Sequence, residues 1–142
     1  MTIAAILNGK GHDVVAIAAD ARVRDAVALL AERRIGAVPV IEGDRVAGVF
    51  SERDVITCLA AEGETALDRT VGEAMTAPAV TVTPRDAALA ALSLMTRRRV
   101  RHLPVIEDGR MIGLVSIGDL VKYRIERIEA DAAAMRDYIQ QA

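Results

Sequence analysis

Aromatic side chains are almost missing from this sequence. Its 142 residues include Phe50, Tyr123 and Tyr138 and no tryptophan, too few for the row of stacking rings on which single-stranded nucleic acid lies. A formal net charge of −2 gives no general pull toward phosphate backbones or anionic lipid. Cysteine occurs once, as Cys58, which rules out an intrachain disulfide and suits a reducing compartment. With His12 and His102 as the other soft-metal ligands, a zinc site of Cys and His lacks partners, so no metal is expected. The opening residues carry no charged segment followed by a sufficient apolar run, and no signal peptide is read. Uncharged apolar stretches reach only about ten residues, too short for a bilayer span. These absences predict a cytoplasmic protein whose partners include neither a nucleic acid strand nor a membrane.

What is present is aliphatic. Hydrophobic residues make up 52% of the chain and charged residues 27%, a globular ratio. The core must therefore be built from Ala, Val, Leu, Ile and Met.

The chain also repeats itself. Displaced by 65 positions, residues 33–54, RRIGAVPVIEGDRVAGVFSERD, align without a gap on residues 98–119, RRVRHLPVIEDGRMIGLVSIGD. Arg33/Arg98, Pro39/Pro104, Glu42/Glu107, Gly48/Gly113, Ser51/Ser116 and Asp54/Asp119 are identical pairs. Such self-similarity marks an internal duplication.

Periodicity gives the elements of each unit. Val14–Ile17 and Val80–Val82 read as short strands, and Thr83-Pro84 as a cap with proline at the first helical position. Val23, Ala26, Val27, Leu30 and Ala31 share one helical face, repeated by Ala88, Ala91, Leu92 and Met95. Two strands follow in each unit, Ala37–Ile41 with Arg45–Phe50 and Leu103–Ile106 with Met111–Val115, joined by Gly-containing turns. A second helix starts at Ser51 and at Ser116. Each unit is thus β-α-β-β-α, and a unit this small finds its natural cover in the other. The fold class is α/β (α+β), two units packed about a pseudo-twofold axis. The last helix runs on past the second unit with Leu120, Tyr123, Ile125, Ile128, Ala132, Met135 and Ile139 as an apolar stripe. Such a stripe either folds back on its own chain or meets a second copy.

Both units end in Gly-apolar-apolar-Ser-x-x-Asp, GVFSERD at 48–54 and GLVSIGD at 113–119. Read structurally, Ser followed three residues later by an acid is a capping box. Read functionally, a helix N-terminus with a hydroxyl suits phosphate, and a carboxylate one turn along can accept both hydroxyls of a ribose. The arginine run Arg97-Arg98-Arg99 with Arg101 reads as a solvated helix end.

The duplicated pattern, the VPVIE and LPVIE runs and both G-h-h-S-x-x-D turns resemble a tandem pair of CBS domains, a Bateman module. The resemblance implies a single CBS-pair module over 1–142, with motifs at 8–65 and 70–128 and a helical extension at 129–142. It implies a non-enzymatic sensor binding AMP, ADP, ATP or S-adenosylmethionine in the clefts between motifs, and commonly a homodimer. By carry-over Asp54 and Asp119 hold ribose hydroxyls, Ser51 and Ser116 contact phosphate, Thr83 meets the base, and Arg101 and His102 meet phosphate. Arg53 supplies positive charge in the first motif, where Gly36-Ala37 stand in place of Arg101-His102. The cleft of Ser116, Asp119 and Arg101 is expected to be the stronger anion site. A protein-interaction or dimerisation module with vestigial clefts is the alternative. Catalysis is not expected: no nucleophile–base pair is present, and the catalytic barrel of inosine monophosphate dehydrogenase needs some 200 further residues or more.

Overall fold

Two aliphatic cores, one per unit, organise the chain. The computed structural model describes residues 1–141. The first core gathers Val23, Ala26, Leu30, Val38, Val40 and Phe50; the second gathers Ala88, Ala91, Met95, Leu103, Val105 and Val115. No polar or charged side chain is buried among the described residues, so burial of small aliphatic groups is what holds each unit together.

The elements run α1 (Ile3–Lys10), β1 (Ile17–Ala18), α2 (Val23–Arg33), β2 (Ala37–Glu42), β3 (Arg45–Ser51), α3 (Glu52–Glu62), a 3-10 turn, α4 (Val71–Ala74), α5 (Ala88–Arg98), β4 (His102–Glu107), β5 (Arg110–Ser116) and α6 (Ile117–Gln141). Strand β2 pairs antiparallel with β3 and parallel with β1, and β4 pairs antiparallel with β5. The duplication extends to an irregularity of register, which falls at Val40/Ile41 in one hairpin and at Val105/Ile106 in the other. No helix among the described residues is long and apolar enough to cross a membrane.

Three expectations about local structure are corrected. The first strand shrinks to Ile17–Ala18, and Val80–Val82 leaves only a bridge from Val82 to Val105. Pro84 stands two residues on, where the next ladder donor would fall, and a residue without an N–H cannot prolong a ladder. Helix α5 starts at Ala88 rather than at Pro84. Asp86 takes the Thr83 amide at 2.8 Å and closes a turn of its own. Helix α5 then begins without a side-chain cap, and its Ala88 amide donates to the Met1 carbonyl.

That last bond exposes a feature that periodicity does not suggest. Ile3, Ile6 and Leu7 of α1 are buried in the second core, whereas Val71 of α4 is buried in the first. Thr2 bridges Ala87 at the start of α5, just as Thr70 bridges Arg22 at the start of α2. The Val23 amide donates to Arg69, matching the bond from Ala88 to Met1. The N-terminal segment therefore completes the second unit, and the segment between the units completes the first. Two glycines seal these contacts. A Cβ on Gly48 would lie 2.5 Å from the Thr76 carbonyl oxygen, and one on Gly113 would lie 2.6 Å from a Leu7 methyl.

Helix α6 divides along its length. Leu120 is buried and Tyr123 packs against the second core, but Ile125, Ile128, Met135, Tyr138 and Ile139 are exposed. It continues as one helix to Gln141 and does not fold back.

Candidate ligand cleft

Both Ser-x-x-Asp turns form capping boxes, and the two differ in what else reaches the carboxylate. In the first turn the Ser51 amide donates to Asp54 Oδ2 at 2.8 Å and the Asp54 amide donates back to Ser51 Oγ at 3.4 Å. The Ser51 hydroxyl also donates to Oδ2 at 3.1 Å. In the second turn the Ser116 amide donates to Asp119 Oδ2 at 2.8 Å and the Asp119 amide returns to Ser116 Oγ at 3.1 Å. The remaining oxygen of Asp54 accepts the Thr76 hydroxyl at 2.8 Å. Asp119 is instead held by Lys10, whose ammonium lies 2.6 Å from Oδ2 and donates to the Leu114 carbonyl at 2.6 Å.

Burial pushes the Asp119 carboxyl up, but the hydrogen bonds from Lys10 and Ser116 prevail and hold it below the ordinary carboxylate range. His102 is displaced downward, chiefly by burial and then by the neighbouring Lys10 charge.

A cleft of about 440 Å³ opens beside the first turn, within the usual range for small-molecule sites. Ser51, Arg53 and Asp54 line it from one side, Thr76 and Pro78 to Val80 from the segment between the units, and Arg98 to His102 from the second unit. Strand pairing explains the placement. Ala37 pairs with Ser51 as His102 pairs with Ser116, and Gly36 lies beside both Glu52 and His102. Arg53 donates to the Arg99 carbonyl at 3.2 Å, tying the first turn of α3 to the end of α5.

The structure therefore brings together Ser51, Arg53, Asp54, Arg101 and His102. Thr83 is exposed in its turn, and Ser116 and Asp119 do not line this cleft. The expected grouping of Arg101 with Ser116 and Asp119 survives only in the backbone, where the Ile117 amide donates to the Arg101 carbonyl. Arg101 and His102 of the second unit line the cleft beside Ser51 of the first. Three residues at the two turns and the cleft escape sequence reasoning. Thr76 and Arg99 stand in the sequence as a polar residue ahead of a strand and part of an arginine run. Lys10 has no signal beyond its charge.

The CBS domain family matches residues 11–61 and again 71–126. This chain is a member of the CBS-domain family. The mitochondrial CBS domain-containing protein CBSX3 of Arabidopsis thaliana is 34% identical to it, over 98% of this chain and 72% of that protein. CBS domain-containing protein YhcV of Bacillus subtilis is 26% identical over 84% of this chain and 85% of its own length. Among solved structures, a CBS-domain containing protein from Agrobacterium tumefaciens superposes with a TM-score of 0.83 at 38% identity, covering 87% of this chain and 92% of its own. CBSX2, solved in complex with AMP, gives a TM-score of 0.71 at 26% identity, covering 80% and 89%. The CBS pair is thus the architecture shared by these proteins, and here the long C-terminal helix closes it.

Proposed function

We propose that this CBS pair is a non-catalytic regulatory sensor that binds an adenosine-containing ligand in the cleft beside Ser51 and Asp54. One observation carries the reading. Asp54 is positioned by Ser51 and Thr76 at one side of the cleft, with Arg99 and Arg101 of the other unit lining it too. A ribose diol suits the carboxylate, and a phosphate suits the guanidinium groups. The AMP bound to the related CBSX2 supports the same class of ligand. Since Lys10 holds Asp119, the reading assigns one ligand per chain.

Binding acts by shifting the population of two arrangements of a homodimer, which requires different affinities for them. The exposed apolar residues of α6 support association of two copies, and the single free Cys58 suits a cytoplasmic setting. The regulated partner is a protein that reads the dimer geometry. No metal or cofactor takes part.

The alternative is an interaction module whose turns serve only as caps, favoured by the completeness of both capping boxes. Calorimetry with AMP, ADP, ATP and S-adenosylmethionine, on the native chain and on Asp54→Ala, separates the two. A sensor releases or takes up heat with at least one ligand and loses the response on substitution. A cap costs about 1 kcal/mol of stability when removed and shows no ligand response in either protein.

A further inference from the structure

The tail of α6 is a helix without a core of its own. Leu120 is buried in the second core and Tyr123 packs against it, but no apolar residue of α6 beyond Tyr123 enters or packs on either core. The helix nevertheless runs on to Gln141. A lone segment of that length is marginal in water unless its apolar face is covered. The spacing of that face is regular. From Val121, apolar residues follow at alternating intervals of four and three, through Ile125, Ile128, Ala132, Met135 and Ile139. All six are exposed. This is the alternation of a and d positions in a coiled-coil heptad. With Ile125, Ala132 and Ile139 at a, and Val121, Ile128 and Met135 at d, Leu120 and Tyr123 fall at the outer positions c and f. The chain's own second unit therefore sits behind the seam, and the seam faces away from it.

The charges beside the seam choose the occupant and its direction. Arg124 and Asp131 stand at g, Glu129 and Arg136 at e. Among the described residues Arg124, Glu129 and Arg136 form no ion pair within the chain, and Asp131 reaches only Arg127, at 3.9 Å. In a parallel pair in register, each g residue faces the e residue of the next heptad in the other copy. Arg124 then meets Glu129 and Asp131 meets Arg136, on both edges of the seam. An antiparallel pair covering the same stripe sets Glu129 against Glu129 and Asp131 against Asp131. Sliding that pair by a heptad removes the repulsion but leaves one end of the stripe bare. A bilayer surface asks for a basic polar face, whereas acidic and basic residues are equal in number over residues 121–141. We propose that residues 121–141 form a parallel, in-register, two-stranded coiled coil with a second copy of this chain. The inference rests on the homodimer of the reading above, needs no ligand, and fixes the polarity: both second units lie at the same end of the pair.

Sedimentation equilibrium of the full chain at low ionic strength tests it, with Arg124→Glu and Glu129→Arg as separate variants. Each substitution sets like charges against each other on both edges, so each variant alone should dimerise about tenfold or more weakly than the native chain. An equimolar mixture of the two again opposes unlike charges on both edges and should recover nearly native affinity. That recovery also shows that each variant folds. In Ile139→Cys, air oxidation should link two copies by a disulfide, which the native chain with its buried Cys58 should not form. Such a bridge needs Cα atoms within about 7 Å, and among these arrangements only the parallel one brings the two 139 positions together. Variants that associate as tightly as the native chain, a mixture no tighter than its components, or a missing cross-link overturns the coiled coil and leaves the homodimer reading standing. A native mass above two copies overturns the two-stranded pair. A native chain that stays monomeric overturns both the coiled coil and the homodimer.

Discussion

Lys10 and Asp119 are 109 positions apart in sequence, yet the lysine ammonium lies 2.6 Å from the aspartate carboxylate. Helix α1 brings the lysine there because its apolar face is buried in the second core. The carboxylate of the second turn thus has a cation of its own chain in contact with it, whereas Asp54 has a hydroxyl. Two turns alike in sequence and in capping differ in what a ligand would meet.

Replacing Lys10 by Met removes that cation and keeps the apolar stem. The pair is partly exposed, so the cost is about 0.5–1 kcal/mol at neutral pH. The Asp119 pKa lies below its unfolded value, so its stabilising contribution is present above about pH 4 and is lost as pH falls through the folded value. Thermal melting of the native chain and Lys10→Met should differ at pH 7 and converge in strong acid. Equal melting at pH 7 would show the contact to be energetically silent.

His102 gives a second, milder pH window. Burial and the Lys10 and Arg101 charges lower its pKa against the opposing pull of Asp119 and Glu52. The unfolded chain therefore binds the proton more readily, and stability declines as pH drops below about 6.5. In His102→Gln the part of the decline between roughly pH 7 and pH 5 should shrink. Identical profiles for the two proteins would assign that decline elsewhere.

Gly48 and Gly113 occupy equivalent positions but face different obstacles. An alanine methyl at 48 meets the Thr76 backbone oxygen, while at 113 it meets the movable end of Leu7. Backbone cannot give way without breaking the paired Val49–Thr76 bonds at 3.0 Å. Chemical denaturation should show Gly48→Ala losing about 2–3 kcal/mol and Gly113→Ala about 1 kcal/mol. A larger loss at 113 would contradict this account of the packing.

Helix α6 leaves Ile125 half exposed and Ile128 at 54% exposure, with Met135 and Ile139 beyond them. If these cover one another in a homodimer, Ile125→Asp/Ile128→Asp should convert it to a monomer without unfolding the units, whose cores they do not enter. Light scattering after size-exclusion chromatography reads the mass. An unchanged mass would place the contact between copies on another surface.

Residues that interact over a few positions are legible in the sequence. Ser51 and Asp54, like Ser116 and Asp119, meet across three positions of one helix start, so spacing alone announces them. The hairpins follow from short apolar runs on either side of Gly43 and Gly109, and the duplication from identities at a constant offset. Helix α1 is not legible, because its eight residues, apolar only over the first five, make no distinctive period and its partner core lies far along the chain. The start of α5 misleads because Thr83 and Pro84 imitate a helix start, whereas the Ala88 amide is satisfied by Met1.

Local and repeated interactions are therefore determined by the sequence itself: two homologous units each with a helix, a hairpin and a capped second helix, and the family they belong to. Only the tertiary structure decided what reaches each Ser-x-x-Asp turn. The pairs Thr76–Asp54, Arg53–Arg99 and Lys10–Asp119 span 22, 46 and 109 positions. Their meeting depends on how α1, the segment around α4 and the two cores pack together, and residue spacing along one chain carries no record of that.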